Sequence, residues 1–300
     1  MGLLWGIDLG GTKTECVVLR AGDKEILARK RTVTPVEAGY GAILLNIRRL
    51  MHTVARENRF PLPQTVGIGT PGTLDRETET LKNSNTTVLN GKPLLKELED
   101  TLEMKVILEN DANCFALAES TLGVVRKVLP QAQTVFGVIL GTGVGGGMVC
   151  DGRVWKGRHG IAGEWGHNPL LENGDACYCG RRGCVETVIS GPALELFYRQ
   201  QSGCQRSLKE IVSLTPTDAA ARATLERLVF FLGKALAVVV NILDPDVIIL
   251  GGGVGNVPAL YEQVPAALSA WMFNDRLTTP LLKPALGDSA GVLGAALLQA

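Results

Sequence analysis

The sequence predicts an α/β fold built from two related lobes with a cleft between them. Three observations carry that prediction. A strand, a glycine turn and a returning strand open the chain at Trp5–Leu19, and the same arrangement returns at Phe136–Cys150. Pairing Trp5 with Phe136 also pairs Gly6 with Gly137, Leu9 with Leu140, Gly10 with Gly141 and Val18 with Val149, at a constant offset of 131 residues. A later strand, turn and helix recur in the same order: Lys105–Leu108 before Glu109-Asn110-Asp111, and Val247–Leu250 before Gly251-Gly252-Gly253. Two matches in one order point to the duplication of an ancestral lobe.

Each element follows from its local pattern. Trp5–Leu9 reads as a strand, Gly10–Lys13 as its turn, Thr14–Leu19 as the return and Glu25–Thr32 as a third strand. Within Gly41–Glu57, the apolar residues Ile43, Leu44, Ile47, Leu50, Met51 and Val54 have helical spacing. Thr65–Gly69 is a strand ending in Thr70-Pro71-Gly72, Pro93–Met104 a short helix, Lys105–Leu108 a strand and Ala112–Leu122 a helix. Arg126, Lys127, Pro130 and Gln131 interrupt the apolar pattern, so the lobe boundary is expected near residues 122–133. The first lobe is then 1–122, joined by a C-terminal helix at about 288–300, and the second is 123–287 with an inserted cysteine loop. Thr134–Leu140 and Gly146–Cys150 open that second lobe. Leu228–Leu243 is apolar but short for a span of ~20 residues and contains Lys234 and Asn241, so it reads as a buried amphipathic helix.

Composition narrows the function classes. Lys+Arg is 30 and Asp+Glu is 30, a balance that disfavours nucleic acid and anionic membranes as partners. The first ten residues lack a basic segment and a cleavage site, so a cytoplasmic location is expected. Seven cysteines, an odd number, argue against a disulfide framework. The 36 glycines, where about 20 are usual, cluster beside apolar runs and suggest turns where backbone meets a ligand.

The turn Asp8-x-Gly10-Gly11-Thr12-Lys13 offers backbone amides, a hydroxyl and a positive charge to an anion, and Asp8 suits a hydrated Mg²⁺. Gly141-Thr142-Gly143 could grip phosphates from the other lobe; a plain hairpin is the competing role for either turn. No Walker A or dinucleotide fingerprint is present. Asp111 stands at a strand end, where a carboxylate can take the proton of a reacting hydroxyl; it is also a favoured helix N-cap, and position alone leaves both roles open. Cys177, Cys179 and Cys184, ten residues beyond His167, make a three-thiolate, one-imidazole set suited to structural Zn²⁺.

DLGGTK, END, LGTGVGGG, EWGH, CYCGRRGCVE and ILGGGV resemble the ROK sugar kinases over nearly the whole chain. Within that family, GIDLGGTKTE, KNSNTTVLNGKP, NDANC, AGEWGHNPL, CYCG and VVNILDPDVIILGGG resemble the fructokinase or manno(fructo)kinase branch. The resemblance implies duplicated actin-like ATPase lobes of the ribonuclease H-like kind, ATP with Mg²⁺, a structural Zn²⁺ and a homodimer. It implies Asp8, Gly10, Gly11, Thr12, Lys13, Gly141, Thr142 and Gly143 on the phosphates and Gly251, Gly252 and Gly253 near the adenosine. Asp111 becomes the catalytic base; Asn110, Glu164, His167 and Glu186 become sugar ligands, with Gly72 and Asn85 closing the far side of the sugar pocket. His167 is expected to serve twice, one ring nitrogen on zinc and the other facing the sugar. The expected reaction is phosphorylation of the 6-hydroxyl of D-fructose. Glucose or an N-acetylhexosamine is the alternative acceptor. A sugar-sensing regulator is disfavoured, because the glycine turn at Asp8 leaves no room ahead of it for a helix-turn-helix module.

Overall fold

The computed structural model describes residues 2–300. Strands β1 (Leu3–Leu9), β2 (Lys13–Arg20) and β3 (Ile26–Val33) form an antiparallel meander, followed by α1 (Tyr40–Asn58). Then come β4 (Thr65–Thr70), a hairpin of β5 (Thr73–Leu74) and β6 (Leu81–Lys82), α2 (Leu94–Leu102), β7 (Lys105–Asn110), α3 (Asp111–Thr121) and the short α4 (Val124–Val128). The second half opens with β8 (Thr134–Leu140), β9 (Val144–Cys150) and β10 (Arg153–Val154). It continues through α5 (Val185–Ile189), α6 (Gly191–Ser202), α7 (Leu208–Leu214), α8 (Ala219–Leu243), β11 (Val247–Gly251), α9 (Ala259–Ser269), β12 (Leu281–Leu282) and α10 (Ala290–Leu297).

The two five-stranded sheets have the same order. One runs β3-β2-β1-β4-β7 and the other β10-β9-β8-β11-β12. In each, the opening strand pairs on one side with its antiparallel return. On the other side it pairs with a parallel strand, β4 or β11. This is the duplicated actin-like arrangement that the sequence predicts, and β1 and β8 stand 131 residues apart at both ends.

The chain divides into two compact units: residues 1–128 with 147–162 and 285–300, and residues 129–146 with 163–284. The dividing point falls inside β9, and residues 147–162, expected with the second lobe, go with the first unit.

In the first unit, α1 and α2 cover one face of the sheet, with Ile43, Ile47, Met51, Leu94 and Leu98 packed on Trp5, Ile7 and Ile68. Across the sheet lies α10. Its backbone comes so close that a Cβ on Gly6 would sit 2.5 Å from Val292 O, and one on Gly67 would sit 1.8 Å from Ala295 O. Small residues in α10, AGVLGAAL, serve the same approach: a Cβ on Gly294 would meet Cys114 O of α3 at 1.8 Å. Glu119, fully buried in α3, holds the start of the C-terminal segment, accepting from Ala285 N and Leu286 N at 2.9 and 2.8 Å. In the second unit, α8 and α9 pack through Gly233, where a Cβ would lie 2.8 Å from Ala267, and β11 is buried at every position. The apolar run expected at Leu228–Leu243 is the C-terminal part of α8. Among the described residues no helix is long and apolar enough to cross a membrane.

Candidate active site

In the first unit, β1 ends at Asp8-Leu9 and the chain reverses through Gly10–Thr12. Gly10 N–H donates to Lys13 O at 3.0 Å, and Thr34 Oγ1 donates to Gly10 O at 2.7 Å, so the residue that follows β3 buttresses the turn. Gly11 and Thr12 are exposed, their backbone open to a ligand. A Cβ on Gly11 would approach Thr86 Oγ1 to 2.9 Å, which puts the segment bearing Asn85 against the turn. Asn85 itself is exposed and accepts from Thr86 Oγ1 at 3.5 Å.

Asp8 is pushed up to about 7 by burial first and by the neighbouring Asp111 carboxylate second, with Lys13 and Arg31 opposing. Lys13 and Arg31 offset only part of the cost of ionising Asp8 in this corner. Asp8 therefore fits the oxygen-ligand chemistry of Mg²⁺.

Asp111 is the first residue of α3, but the cap is its neighbour. Asn110 has extended backbone, and its Oδ1 accepts from Ala112 N at 2.9 Å. The N-cap role left open for Asp111 thus belongs to Asn110, because strand β7 runs two residues further than expected and ends on it. Asp111 Oδ1 accepts from Ala112 N as well, at 2.8 Å. Asn110 Nδ2 donates to Gly72 O at 3.1 Å, so Gly72 and Asn110 are brought together. Gly72 has φ +90° and a Cβ there would strike Lys82 O at 2.5 Å, so this tight turn admits glycine alone.

In the second unit, Trp165–His167 forms a single 3₁₀ turn clamped onto β9. Trp165 Nε1 donates to Gly145 O at 3.0 Å, and a Cβ on Gly166 would overlap Val144 O. Glu186 Oε2 accepts from Val144 N at 2.9 Å, which places this carboxylate under the Gly141–Gly143 turn. Glu164 is raised from the ordinary carboxylate range by burial, then by Glu186. Glu164, Glu186 and the glycine turn therefore share one neighbourhood.

His167, Cys177, Cys179 and Cys184 converge with their ligand atoms within 4.8 Å of one another. Cys177 Sγ lies 3.5 Å from His167 Nδ1, and Cys179 Sγ lies 3.6 Å from Cys184 Sγ. Tetrahedral zinc bonds of usual length require roughly 3.6 Å between sulfur and nitrogen and roughly 3.8 Å between sulfurs. The four residues fit Zn²⁺. Gly183, at φ +63°, makes the loop possible, since any side chain there would run into Leu171 O. The second ring nitrogen of His167 is engaged differently from expectation: Nε2 lies 2.9 Å from the hydroxyl of Tyr178, a residue the sequence reading did not single out. Tyr178 is adjacent to both Cys177 and Cys179, and that adjacency was the available signal.

A cavity of about 740 Å³ in the second unit is lined by Gly141, Thr142, Gly191, Pro192, Leu208 and Gly253, among others. Three of the glycine-turn residues expected to hold ATP thus border one space large enough for a nucleoside. Gly252, at φ +81°, packs on Leu140 and, like Gly251, is not among the residues that line the cavity.

The family model described as the ROK family matches residues 4–300. The N-acetyl-D-glucosamine kinase of Histophilus somni (strain 129Pt) is 37% identical over 312 residues, covering 99% of this chain and 98% of that protein. Among solved structures, the ROK hexokinase from Thermus thermophilus aligns with a TM-score of 0.87 and 33% identity, covering 99% of this chain and 97% of that one. A ROK family glucokinase from Streptomyces griseus, solved in complex with glucose and AMPPNP, aligns with a TM-score of 0.78 and 28% identity, covering 99% of both chains. None of these three is named for fructose, so the fructose acceptor expected from the sequence motifs is not supported; the N-acetylhexosamine and glucose alternatives are the ones represented.

Proposed function

The chain belongs to the ROK family as one of its sugar kinases, and from that premise we propose that it transfers the γ-phosphoryl group of ATP to the 6-hydroxyl of N-acetyl-D-glucosamine. The observation that carries the acceptor assignment is the full-length identity of 37% to an N-acetyl-D-glucosamine kinase. Glucose stands second, supported by the hexokinase and glucokinase neighbours.

In this reading Asp111 takes the proton of the acceptor hydroxyl as its oxygen bonds to the γ-phosphorus. The bond from that phosphorus to the β–γ bridging oxygen breaks and ADP leaves. Asn110, capping α3 and tied to Gly72, holds the acceptor beside that base. Glu164 and Glu186 supply further sugar hydrogen bonds, with Asn85 at the margin; the His167 ring, engaged by the cysteine set and by Tyr178, acts on the pocket by holding the turn that follows Glu164. Gly10, Gly11, Thr12 and Lys13 in one unit, and Gly141, Thr142 and Gly143 in the other, receive phosphate oxygens. Gly253 borders the adenosine, with Gly251 and Gly252 preceding it in the chain. Asp8 is the carboxylate for Mg²⁺, which when bound neutralises phosphate charge. Zn²⁺ held by His167, Cys177, Cys179 and Cys184 is structural, and fixes the His167 ring and the entry to α5 that bears Glu186. A homodimer is the proposed assembly. It is supported by exposed apolar residues on and beside α8, namely Phe230, Val238, Ile242, Trp271 and Phe273.

The deciding experiment measures ADP release with fructose, mannose, glucose, N-acetylglucosamine and N-acetylmannosamine. We expect the highest kcat/KM with N-acetylglucosamine, tenfold or more above fructose, on the order of a well-placed polar contact. A higher value with fructose or glucose overturns the acceptor while leaving the kinase chemistry in place.

A further inference from the structure

Next to Asn110 and Asp111 lies a buried carboxylate that the reaction as assigned leaves without a task. Glu109 is 8% exposed. Its Oε1 accepts from the backbone N–H of Asn110 and from Asn113 Nδ2, both at 2.9 Å. Asn113, in the first turn of α3, accepts in turn at Oδ1 from Met148 N at 3.1 Å. One carboxylate oxygen therefore spans the strand-to-helix junction at which Asp111 sits. The other oxygen pairs with Lys156 Nζ at 2.8 Å.

Lys156 reaches this pair from a half-exposed position on a loop held in place at several points. Gly157 and Gly160 both have positive φ, +69° and +71°. Arg76 Nη2 donates to Gly157 O at 3.3 Å, and a Cβ on Gly160 would meet Thr73 Cγ2 at 2.9 Å. Glu109 and Lys156 line a cavity of about 140 Å³ together with Gly72, Thr73 and Asn110. All of these residues belong to the first unit.

An ion pair with one buried partner adds little to stability compared with apolar packing, whereas removing the lysine strands the buried carboxylate. The position of this pair suits the placing of neighbouring groups. We infer that Glu109 and Lys156 are positioning residues for the acceptor. The pair fixes the Asn110 backbone, hence the Asn110–Gly72 link and the setting of Asp111, and so tunes how the sugar is held. The inference rests on the sugar-binding and base assignments made above for Asn110 and Asp111.

The test uses the full chain as wild type, Lys156→Met, Glu109→Gln and the double variant, with acceptor and ATP varied separately. Lys156→Met strands the carboxylate; we expect its acceptor KM to rise about tenfold or more while the KM for ATP stays within about twofold. The double variant keeps an acceptor oxygen for Asn110 and Asn113 and has no stranded charge. It should return the acceptor KM to within about threefold of wild type, and it carries the test if Lys156→Met does not fold. A purely structural role predicts something else: lower kcat from less folded protein, with both KM values unchanged. That result, or a double variant as impaired as Lys156→Met, overturns the inference. If the wild type prefers a sugar other than N-acetylglucosamine, the comparison is made with that sugar and judged on the variants alone. If it phosphorylates no hexose, the assignments of Asn110 and Asp111 fall and this inference falls with them.

Discussion

The openings of the two halves, β1–β2 and β8–β9, are the same structure put to different use. Their first strands share one burial pattern, position for position, across an offset of 131 residues. At the end of β1, however, stands Asp8, and its counterpart is Ile139; Lys13 corresponds to Val144. The first turn thus carries charge of both signs beside Asp111, while the second is neutral and borrows a carboxylate, Glu186, from α5. The strand–turn–strand frame is retained because burial demands it. The polar positions at its end are free to diverge, and there the two halves differ in charge. In the proposed reading the base and the Mg²⁺ carboxylate lie in the first unit, and the nucleoside cavity and the Cys-His cluster lie in the second.

The largest effect tests that division directly. Asp111→Asn keeps the size and the hydrogen bond to Ala112 but removes the base. We expect kcat to fall about 10²–10⁴-fold with the far-UV circular dichroism unchanged. Near-normal turnover would move the chemistry out of the first unit's carboxylates.

The metal loop comes next. Purified without chelator, the protein should contain one zinc per chain by elemental analysis. Cys179→Ser should lose it and lower acceptor kcat/KM about 10–100-fold, with the melting temperature less affected than the activity. Full activity in a zinc-free chain would remove the loop from the sugar site.

Stability supplies the third contrast. An alanine at Gly6 drives a methyl into backbone atoms of Val292 and Ala296, and we expect a loss of about 1–3 kcal/mol in urea unfolding. At Gly141, where a Cβ meets nothing within 4 Å, alanine should leave the urea midpoint unchanged. Equal losses at both sites would show the two halves to be packed alike.

The smallest effect concerns pH. Asp8 holds its proton to about 7 when folded, against 3.8 ordinarily. Between those values the native state binds more protons than the unfolded chain, so ionising Asp8 costs stability as pH rises, in full above pH 7. Asp8→Asn should therefore raise the melting temperature of Mg²⁺-free protein at pH 8 by more than at pH 5. An equal change at both pH values would mean that the Asp8 corner is balanced by positive charge and has no vacancy for a cation.

Much of this architecture was readable from residues. Apolar strands flanked by glycine are local signals, so β1, β8, β4 and β11 fell within two residues of their expected places. The cysteine spacing was equally local. What escaped was set by distance in the chain. Nothing around residue 111 shows that Asn110 would take the cap, because that depends on how far β7 continues in register with β4, to Thr70 opposite Asn110. Glu109 was quoted within a motif, yet its partner Lys156 lies 47 residues on, in a loop without periodic pattern. Tyr178 showed only its adjacency to Cys177 and Cys179; its bond to His167 depends on ring orientation, which follows from the folded loop. The sugar's identity was beyond reach for the same reason: motif residues shared by every acceptor dominate the pattern, and the discriminating contacts come from loops.

The close seating of α10 on Gly6 and Gly67 has a consequence for how the molecule is made. The unit that contains β1 is also the one that needs α10, far later in the sequence. Until residues 285–300 emerge, one face of the β1–β4 layer has no cover and Glu119 lacks the amides of Ala285 and Leu286. The other unit, residues 129–146 and 163–284, is complete earlier. The growing chain therefore completes residues 129–146 with 163–284 before it covers that apolar sheet face. A chain cut short by a dozen residues at its C-terminus would retain every residue assigned to the reaction and still lack the surface on which the catalytic strands rest.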